Sequence, residues 1–174
     1  MNSEIVVKIN NFSKNRLVEF SGALLVLSGI ILLISILSYS PSDPNFIYAP
    51  ENTEIKNFGG FYGSIIADFF LQSVGLISFL VILNLFNWGF KLIMNKKINN
   101  FVSKIFFTLI YIIFGTTFIN IFNNDSFWLI DNGNSGFIGR IVKENFYTLT
   151  TLIENQYIVF FLFFKRSINF LIIR

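Results

Sequence analysis

Three long runs without charged residues limit what this chain can fold into. They lie at residues 20–39, 69–90 and 105–121, and the third extends to 103–121 because the long side chain of Lys104 can reach the lipid headgroups. A helix of about 20 apolar residues covers the ~30 Å hydrocarbon core of a bilayer. The chain is 53% hydrophobic and 13% charged, whereas soluble domains carry about a quarter charged residues. The continuous runs argue against short alternating barrel strands. The sequence therefore predicts an all-α membrane protein.

A fourth segment, at 147–164, is only partly apolar. Glu154 interrupts it, and Lys165 and Arg166 follow it directly. Each charge near the middle of a span costs roughly 2.5–3.5 kcal/mol on insertion scales. The first run, by contrast, is too long for a cleaved signal peptide and is interpreted as a retained anchor. We therefore predict a small bundle of three transmembrane helices plus a broken or partial fourth.

The distribution of lysine and arginine predicts the orientation of the chain. Cytoplasmic segments of membrane proteins carry an excess of these residues. Ten of the 13 lie in the tail at 1–19, in the segment between the second and third runs, and at the end of the chain. The loops at 40–68 and 122–146 hold the other three. The sequence thus predicts a cytoplasmic amino terminus and places these two loops on the outer side of the membrane.

The side chains needed for most enzyme chemistry are missing. The sequence has no Cys and no His, which removes disulfides, thiolate or imidazole metal ligands, and Ser-His or Cys-His triads. It has no Gly-Lys pair and therefore no phosphate-binding loop of the ATPase type. Its acidic residues lack metal-ligand spacing, and its basic residues form no nucleic-acid stripe. We predict no enzyme activity, no cofactor, no metal, and no direct binding of ATP or nucleic acid.

Polar residues around the first loop predict turns and helix contacts. Pro41, Asp43 and Pro44 directly follow the first run, and this combination ends a helix and favours a turn. Gly59 and Gly63 have the small-residue spacing that lets two helices approach closely. A carboxylate at Asp68 is better explained by a position at the amino terminus of the second helix, which favours negative charge, than by a proton relay.

Three serines in the first run leave two interpretations open. Ser21, Ser28 and Ser35 recur at heptad spacing, which predicts a seam of small residues where another helix packs. The alternative is a small pore-forming or transporter subunit, which requires a polar face along a whole span.

Several motifs occur in a characteristic order between residues 20 and 90. An apolar helix runs into Ser-Pro-Ser-Asp-Pro, a glycine-rich motif precedes the second run, and that run contains a Gly and a Trp-Gly pair. The positions are Ser40, Pro41, Asp43, Pro44, Asn57, Gly59, Gly60, Gly63, Ala67, Asp68, Gly75 and Trp88. In this combination the segment resembles the amino-terminal four-helix membrane domain of FtsK-type bacterial DNA translocases. A weaker similarity at residues 133–139 resembles the start of that family's fourth helix.

The resemblance implies an inner-membrane anchor that serves cell division and chromosome segregation. It implies a location at the division septum, periplasmic loops at 40–68 and 122–146, and contact with other division-site membrane proteins. The apolar runs predict contact with the lipid bilayer, and the spacing of Gly59 and Gly63 leaves self-association open. Family members continue into a linker and an ATP-driven motor, whereas this sequence ends at Arg174. We therefore expect a truncated or frameshifted product without ATPase activity of its own, in which the twelve motif positions have structural roles.

Overall fold

The computed structural model describes residues 3–48, 54–126, 129, 131–147, 151 and 155. Apart from its positions 147, 151 and 155, the fourth segment predicted at 147–164 lies outside these residues. Within the described part, the chain forms a short 3₁₀ turn at Gly75–Ile77 and five α-helices. The helices are α1 (Ser3–Leu37), α2 (Gly60–Val74), α3 (Ser78–Asn95), α4 (Phe101–Phe122) and α5 (Gly136–Asn145).

Three helical stretches are long and apolar enough to cross a membrane, at Val7–Leu37, Gly60–Asn95 and Phe101–Phe122. The prediction of an all-α chain with three such stretches is confirmed. The tail predicted at 1–19 is helical from Ser3 onward and continuous with the first run. With 35 residues, α1 rises about 52 Å and is longer than a bilayer is thick.

Glycines allow α1 and α3 to pack closely in antiparallel directions. A Cβ atom added to Gly22 would lie 2.7 Å from the carbonyl oxygen of Gly89, and one added to Gly29 would lie 2.8 Å from a ring carbon of Phe86. At the end of this contact, Lys96 forms an ion pair with Glu19. Close approach brings many atoms of both helices to van der Waals distance, which is the main attraction between helices in lipid.

The packing face of α1 lies one residue away from the predicted serine seam. Ser21 and Ser28 are exposed, and their hydroxyls donate to the carbonyl oxygens one turn earlier. Ser35 alone of the three is buried. The predicted seam is therefore wrong at the first two positions. Gly22 and Gly29 have the same heptad spacing, and a residue without a side chain permits a closer contact than serine does.

The chain bends sharply between α2 and α3. Gly63 and Phe86 are 23 residues apart and would lie about 34 Å apart along a straight helix. Yet Gly63 lies beside Ser35 and Phe86 beside Gly29, two α1 positions only about 9 Å apart. The chain therefore turns back between α2 and α3, with α2 beside the end of α1 and α3 beside the part before it.

The bend interrupts the span that the sequence predicts at 69–90. Gly75 ends α2 with a φ of 57°, a left-handed conformation that residues with a Cβ atom rarely adopt. The sequence on both sides is equally apolar, so hydropathy gives no sign of the break. After it, the 18 residues of α3 rise about 27 Å, close to the thickness of the hydrocarbon core.

Helix α5 returns alongside the last turns of α4. A Cβ atom added to Gly139 would lie 2.6 Å from the carbonyl oxygen of Thr116. Asn120 Nδ2 donates a buried hydrogen bond of 2.8 Å to Ser135 Oγ. Helix α5 also contacts α2 and the 3₁₀ turn, so it connects α4 to the region of the bend.

The described residues bury a small core where α1, α2 and α3 meet, and they expose much apolar surface elsewhere. Phe107 and Phe114 of α4, for example, are 64% and 71% exposed. Apolar surface of this extent suits lipid rather than water. The buried core residues are Leu32, Ile36, Ala67, Leu71, Ile82 and Leu129.

Helices α2 and α5 begin with related sequences. Residues 60–68 read GFYGSIIAD, and residues 136–144 read GFIGRIVKE. Both helices start on a glycine with positive φ, 62° at Gly60 and 66° at Gly136. In both, the second glycine packs against the preceding long helix, α1 or α4. The chain thus repeats one unit, which consists of a long helix, a polar loop and a short helix that starts on glycine.

Candidate functional site

Most of the motif positions gather where the loop at 38–59 joins α1 to α2. We call five residues there the junction: Ser35, Asp43, Asn57, Gly59 and Gly63. Its polar side chains are deeply buried, since Asp43 is 3% and Asn57 is 4% exposed. Buried polar groups are stable only when they are hydrogen bonded. Their partners therefore define what the junction does.

Asp43 closes the base of the loop. Its carboxylate accepts hydrogen bonds from the backbone nitrogens of Lys56 at 3.1 Å and Asn57 at 2.8 Å. The backbone nitrogen of Asp43 donates to the carbonyl oxygen of Ser40 at 3.1 Å. Hydrogen bonds to an ionised carboxylate are stronger than neutral ones. The side chain of Asp43 thus joins the segment that enters the loop to the segment that leaves it.

Asn57 connects the end of α1 to the start of α2. Its Nδ2 donates to the carbonyl oxygens of Ser35 at 2.7 Å and Ser38 at 3.4 Å. Its Oδ1 accepts from the backbone nitrogen of Gly59 at 2.9 Å. The last carbonyls of a helix have no partner within the helix. Asn57 supplies that partner and fixes the first residues of α2 at the same time.

Gly59 and Gly63 bring the backbone of α2 against α1. Cβ atoms added to them would lie 2.9 Å and 3.1 Å from Ser35 Oγ. That hydroxyl is buried and has no hydrogen-bond partner among the described residues. The close approach predicted for these two glycines thus occurs within one chain, between its own helices.

The start of α2 is fastened to the loop a second time. Ser64 Oγ donates to the carbonyl oxygen of Pro44 at 2.8 Å. Ala67, one turn further on, is fully buried at 0% exposure and belongs to the core cluster. The small side chains of this face allow α2 to lie directly on its neighbours.

Asp68 lies in the middle of α2, where it accepts a hydrogen bond of 3.0 Å from Tyr39 Oη. Gln72 Nε2 lies 3.5 Å from the same hydroxyl, and Asn132 Nδ2 donates to Gln72 Oε1 at 2.9 Å. The Tyr39 hydroxyl is the donor in its contact with Asp68. The chain of contacts connects the first loop to the second through α2.

The predicted role of Asp68 at a helix amino terminus is wrong. The helix begins at Gly60, eight residues earlier, and the free backbone donors of its first turn are therefore out of reach. The apolar run starts at residue 69, but small and aromatic residues extend the helix back through the glycine motif. Hydropathy located the apolar segment and missed the true start of the helix.

Gly75 lies under the second loop. The backbone nitrogen of Leu76 donates to the carbonyl oxygen of Asn134 at 2.9 Å, and a Cβ atom added to Gly75 would overlap that same carbonyl group. Gly75 therefore provides both the bend after α2 and the space for the second loop.

The remaining motif positions lie apart from the junction. Trp88 in α3 packs edge to face against Phe101, with 5.7 Å between ring centroids, and so holds the start of α4. Ser40 Oγ lies 2.9 Å from Ser42 Oγ. Pro41 is exposed in the turn.

The second loop has a polar centre that the sequence analysis missed. Asn134 Nδ2 donates to the carbonyl oxygens of Asn123 at 3.1 Å and Asp125 at 2.8 Å, just beyond the end of α4. The backbone nitrogen of Ser135 donates to Asn124 Oδ1 at 3.1 Å. The available signal was the repeat, since Asn57 and Asn134 both shortly precede the glycine that begins a short helix.

The contacts of the site connect helices and loops rather than presenting reactive groups. In the part of the chain that the structure describes, no group of three or more His, Cys, Asp or Glu residues could hold a metal ion. Three apolar stretches long enough to span a membrane, joined by loops with buried polar contacts, define the chain as a multi-pass helical membrane protein.

Within that class, the sequence matches the family described as the 4TM region of DNA translocase FtsK/SpoIIIE over residues 14–170. The chain belongs to this family, which confirms the resemblance drawn from its motifs.

Curated relatives named DNA translocase FtsK match parts of the chain. The protein of Azospirillum brasilense is 31% identical over 83 residues, which is 47% of this chain and 13% of the relative. That of Rickettsia prowazekii (strain Madrid E) is 30% identical over 137 residues, 78% of this chain and 17% of the relative. That of Vibrio vulnificus (strain CMCP6) is 34% identical over 85 residues, which is 48% of this chain and 8% of the relative. The matches thus span less than a fifth of these relatives. No solved structure matches the chain.

Proposed function

We propose that the chain is the membrane anchor of an FtsK-type DNA translocase that acts in cell division and chromosome segregation. The observation that carries the proposal is the family match over residues 14–170. The names of the curated relatives support the link to DNA translocation. In this proposal the anchor performs no chemistry. It lies in the bacterial inner membrane at the septum, and it contacts lipid, other division-site membrane proteins and further copies of itself.

The contacts of the junction support an anchoring role. Asn57 ties the end of α1 to the start of α2, and Asp43 accepts a hydrogen bond from the backbone nitrogen of Asn57 at the base of the loop. At the opposite end of the α1–α3 pair, Lys96 and Glu19 form an ion pair. The junction thus fixes α1 to α2, and the ion pair links the other end of the membrane-spanning part of α1 to α3. Such connections suit a rigid attachment point for a force-generating partner.

The proposal includes a cytoplasmic amino terminus, supported by the excess of Lys and Arg on that side. The absence of native Cys allows a direct test with single-cysteine variants. In intact cells with a permeabilised outer membrane, a membrane-impermeant maleimide should label Glu54→Cys but not Lys97→Cys. Both should react after the inner membrane is opened. Labelling of Lys97→Cys alone in intact cells would show the opposite orientation and would contradict the proposal.

The septal location is tested with a fluorescent fusion to the full chain in dividing cells. The wild-type fusion should concentrate at midcell. An Asn57→Ala fusion should remain in the membrane but concentrate less, because the junction loses its connection to α1. An Asn99→Ala fusion is the matched control, since Asn99 is exposed in the segment between α3 and α4. A uniform membrane distribution of the wild type would contradict the division role.

The alternative of a pore-forming or transporter subunit receives no support from α1. The exposed Ser21 and Ser28 direct their hydroxyls to backbone carbonyls of their own helix. Their neighbours on the exposed surface, such as Leu24 and Leu27, are apolar. A polar face along the span, which a pore requires, is not formed by the described residues of this helix.

A further inference from the structure

The first loop presents three consecutive apolar side chains at its tip. Phe46, Ile47 and Tyr48 are 76%, 97% and 57% exposed. No charged residue lies between Pro44 and Tyr48. We call residues 45–48 the loop tip. Full exposure of such a group to water is unfavourable.

The loop tip holds its shape without any help from its apolar side chains. Asn45 Oδ1 accepts hydrogen bonds from the backbone nitrogens of Ile47 at 2.9 Å and Tyr48 at 2.7 Å. The backbone nitrogen of Asn45 donates to the carbonyl oxygen of Tyr48 at 2.7 Å. An asparagine side chain commonly stabilises a tight turn in this way. The turn is therefore ordered in advance, and its three side chains are free to contact something outside the chain.

The base of the loop tip is fixed near the end of α1. Pro44 is hydrogen bonded to Ser64, and Asp43 to Asn57, whose amide binds the carbonyl oxygen of Ser35. Residues 45–48 form a closed turn, so they lie nearer to Pro44 than the about 10 Å that three extended residues would span. Helix α1 ends at Leu37, and the apolar run ends at residue 39. With α1 across the membrane, the headgroup region begins near these residues and is roughly 5–8 Å deep. The loop tip thus lies within reach of the bilayer interface.

We infer that the loop tip inserts into the interface between headgroups and acyl chains beside α1. Its chemistry fits that location, because amphipathic aromatic residues such as Tyr collect at the headgroup level and the tip carries no charge to desolvate. The surface next to its base is also apolar and exposed, with Leu37 at 69% and Tyr62 at 77%. The lipid-facing surface of the helices therefore continues into the tip. The inference requires only that α1 spans the membrane and is independent of the division role.

The test uses the full chain in vesicles of phosphatidylethanolamine and phosphatidylglycerol. Because native Cys is absent, Ile47→Cys gives a single site for a nitroxide label. Its collision rates are measured with oxygen, which concentrates in lipid, and with a neutral nickel chelate, which stays in water. Glu54→Cys, an exposed position of the same loop, is the matched control.

The label at residue 47 should collide more with oxygen than with the nickel chelate, and the label at residue 54 should show the opposite ratio. An environment-sensitive fluorophore at residue 47 should shift its emission to shorter wavelength when detergent-solubilised protein is transferred to vesicles. Equal nickel access at both positions would mean that the tip lies in water and would overturn the inference. Protection from both reagents would also overturn it, since that pattern indicates burial against protein, a second copy included.

Discussion

Asparagine side chains carry the polar contacts that end the long helices of this chain. Asn57 donates to carbonyls of the last residues around the end of α1, and Asn134 donates to carbonyls just after α4. An amide offers donors and an acceptor without a net charge. It can therefore satisfy several backbone groups near a membrane without the cost of burying an ion.

Replacement of Asn57 by Ala should destabilise the fold. The change removes the donor to Ser35 and the acceptor for Gly59, and the buried carbonyl oxygen of Ser35 loses this partner. The expected loss is about 1–3 kcal/mol. Unfolding of purified protein with increasing SDS, followed by far-ultraviolet circular dichroism, would measure it. Asn99→Ala, at an exposed position, should unfold like the wild type. Equal unfolding of the two variants would refute the role of Asn57.

At this scale the sequence indicated where the important residues lie but not what each one contacts. The motif drew attention to Asp43 and Asn57, yet their partners are backbone groups, which have no sequence signature. Asp68 was placed wrongly because the apolar run was taken as the start of the helix. Tyr39 and Asn132 are distant in sequence from Asp68 and Gln72, and only the fold brings them together.

Among the helices, the pair α1 and α3 is set by glycine. The sequence predicted the first apolar helix well, because 20–39 is a charge-free run and α1 ends at Leu37. It failed to separate α2 from α3, because Gly75 changes the backbone direction without changing hydropathy. It also chose serine rather than glycine for the contact face of α1, since both are small and both recur at heptad spacing.

Replacement of Gly89 by Ala should loosen this pair. The added methyl group would lie 2.6 Å from Val26 Cγ2 and 2.8 Å from the carbonyl oxygen of Gly22, so the helices must separate. Overpacking of this kind typically costs about 1–3 kcal/mol. The SDS unfolding midpoint should fall, whereas Leu83→Ala, at a side chain that is 60% exposed, should change it little. An unchanged midpoint for Gly89→Ala would show that the helices are not in close contact there.

In the molecule as a whole, two copies of one structural unit meet at the bend. The loop of the second unit covers Gly75 of the first, and Asn132 reaches Gln72. The repeat could have been found by comparing the sequence with itself, because GFYGSIIAD and GFIGRIVKE share their glycines and their apolar pattern. The contact between the units could not, since it depends on the backbone conformation at one glycine.

Gly75→Ala should uncouple the two units. A methyl group there would overlap the carbonyl group of Asn134 and would also require an unfavourable positive φ. With Gln72→Cys and Asn132→Cys in the same chain, a short thiol crosslinker should join the two sites efficiently. Adding Gly75→Ala should reduce the yield, whereas adding Leu80→Ala, at an exposed side chain of α3, should not. An equal yield in all three variants would contradict this role of Gly75.

Helix α4 differs from the other membrane-spanning stretches because only 11% of the residues in its most apolar part are buried, against 28% in Val7–Leu37. Its two buried residues, Thr116 and Asn120, lie one turn apart, beside Gly115. The consequence is evolutionary. Most positions of this helix need only an apolar residue, so their identity can vary among relatives while the function of the helix persists. Sequence identity between relatives should therefore fall first in α4. It should persist longest at the glycine and asparagine positions.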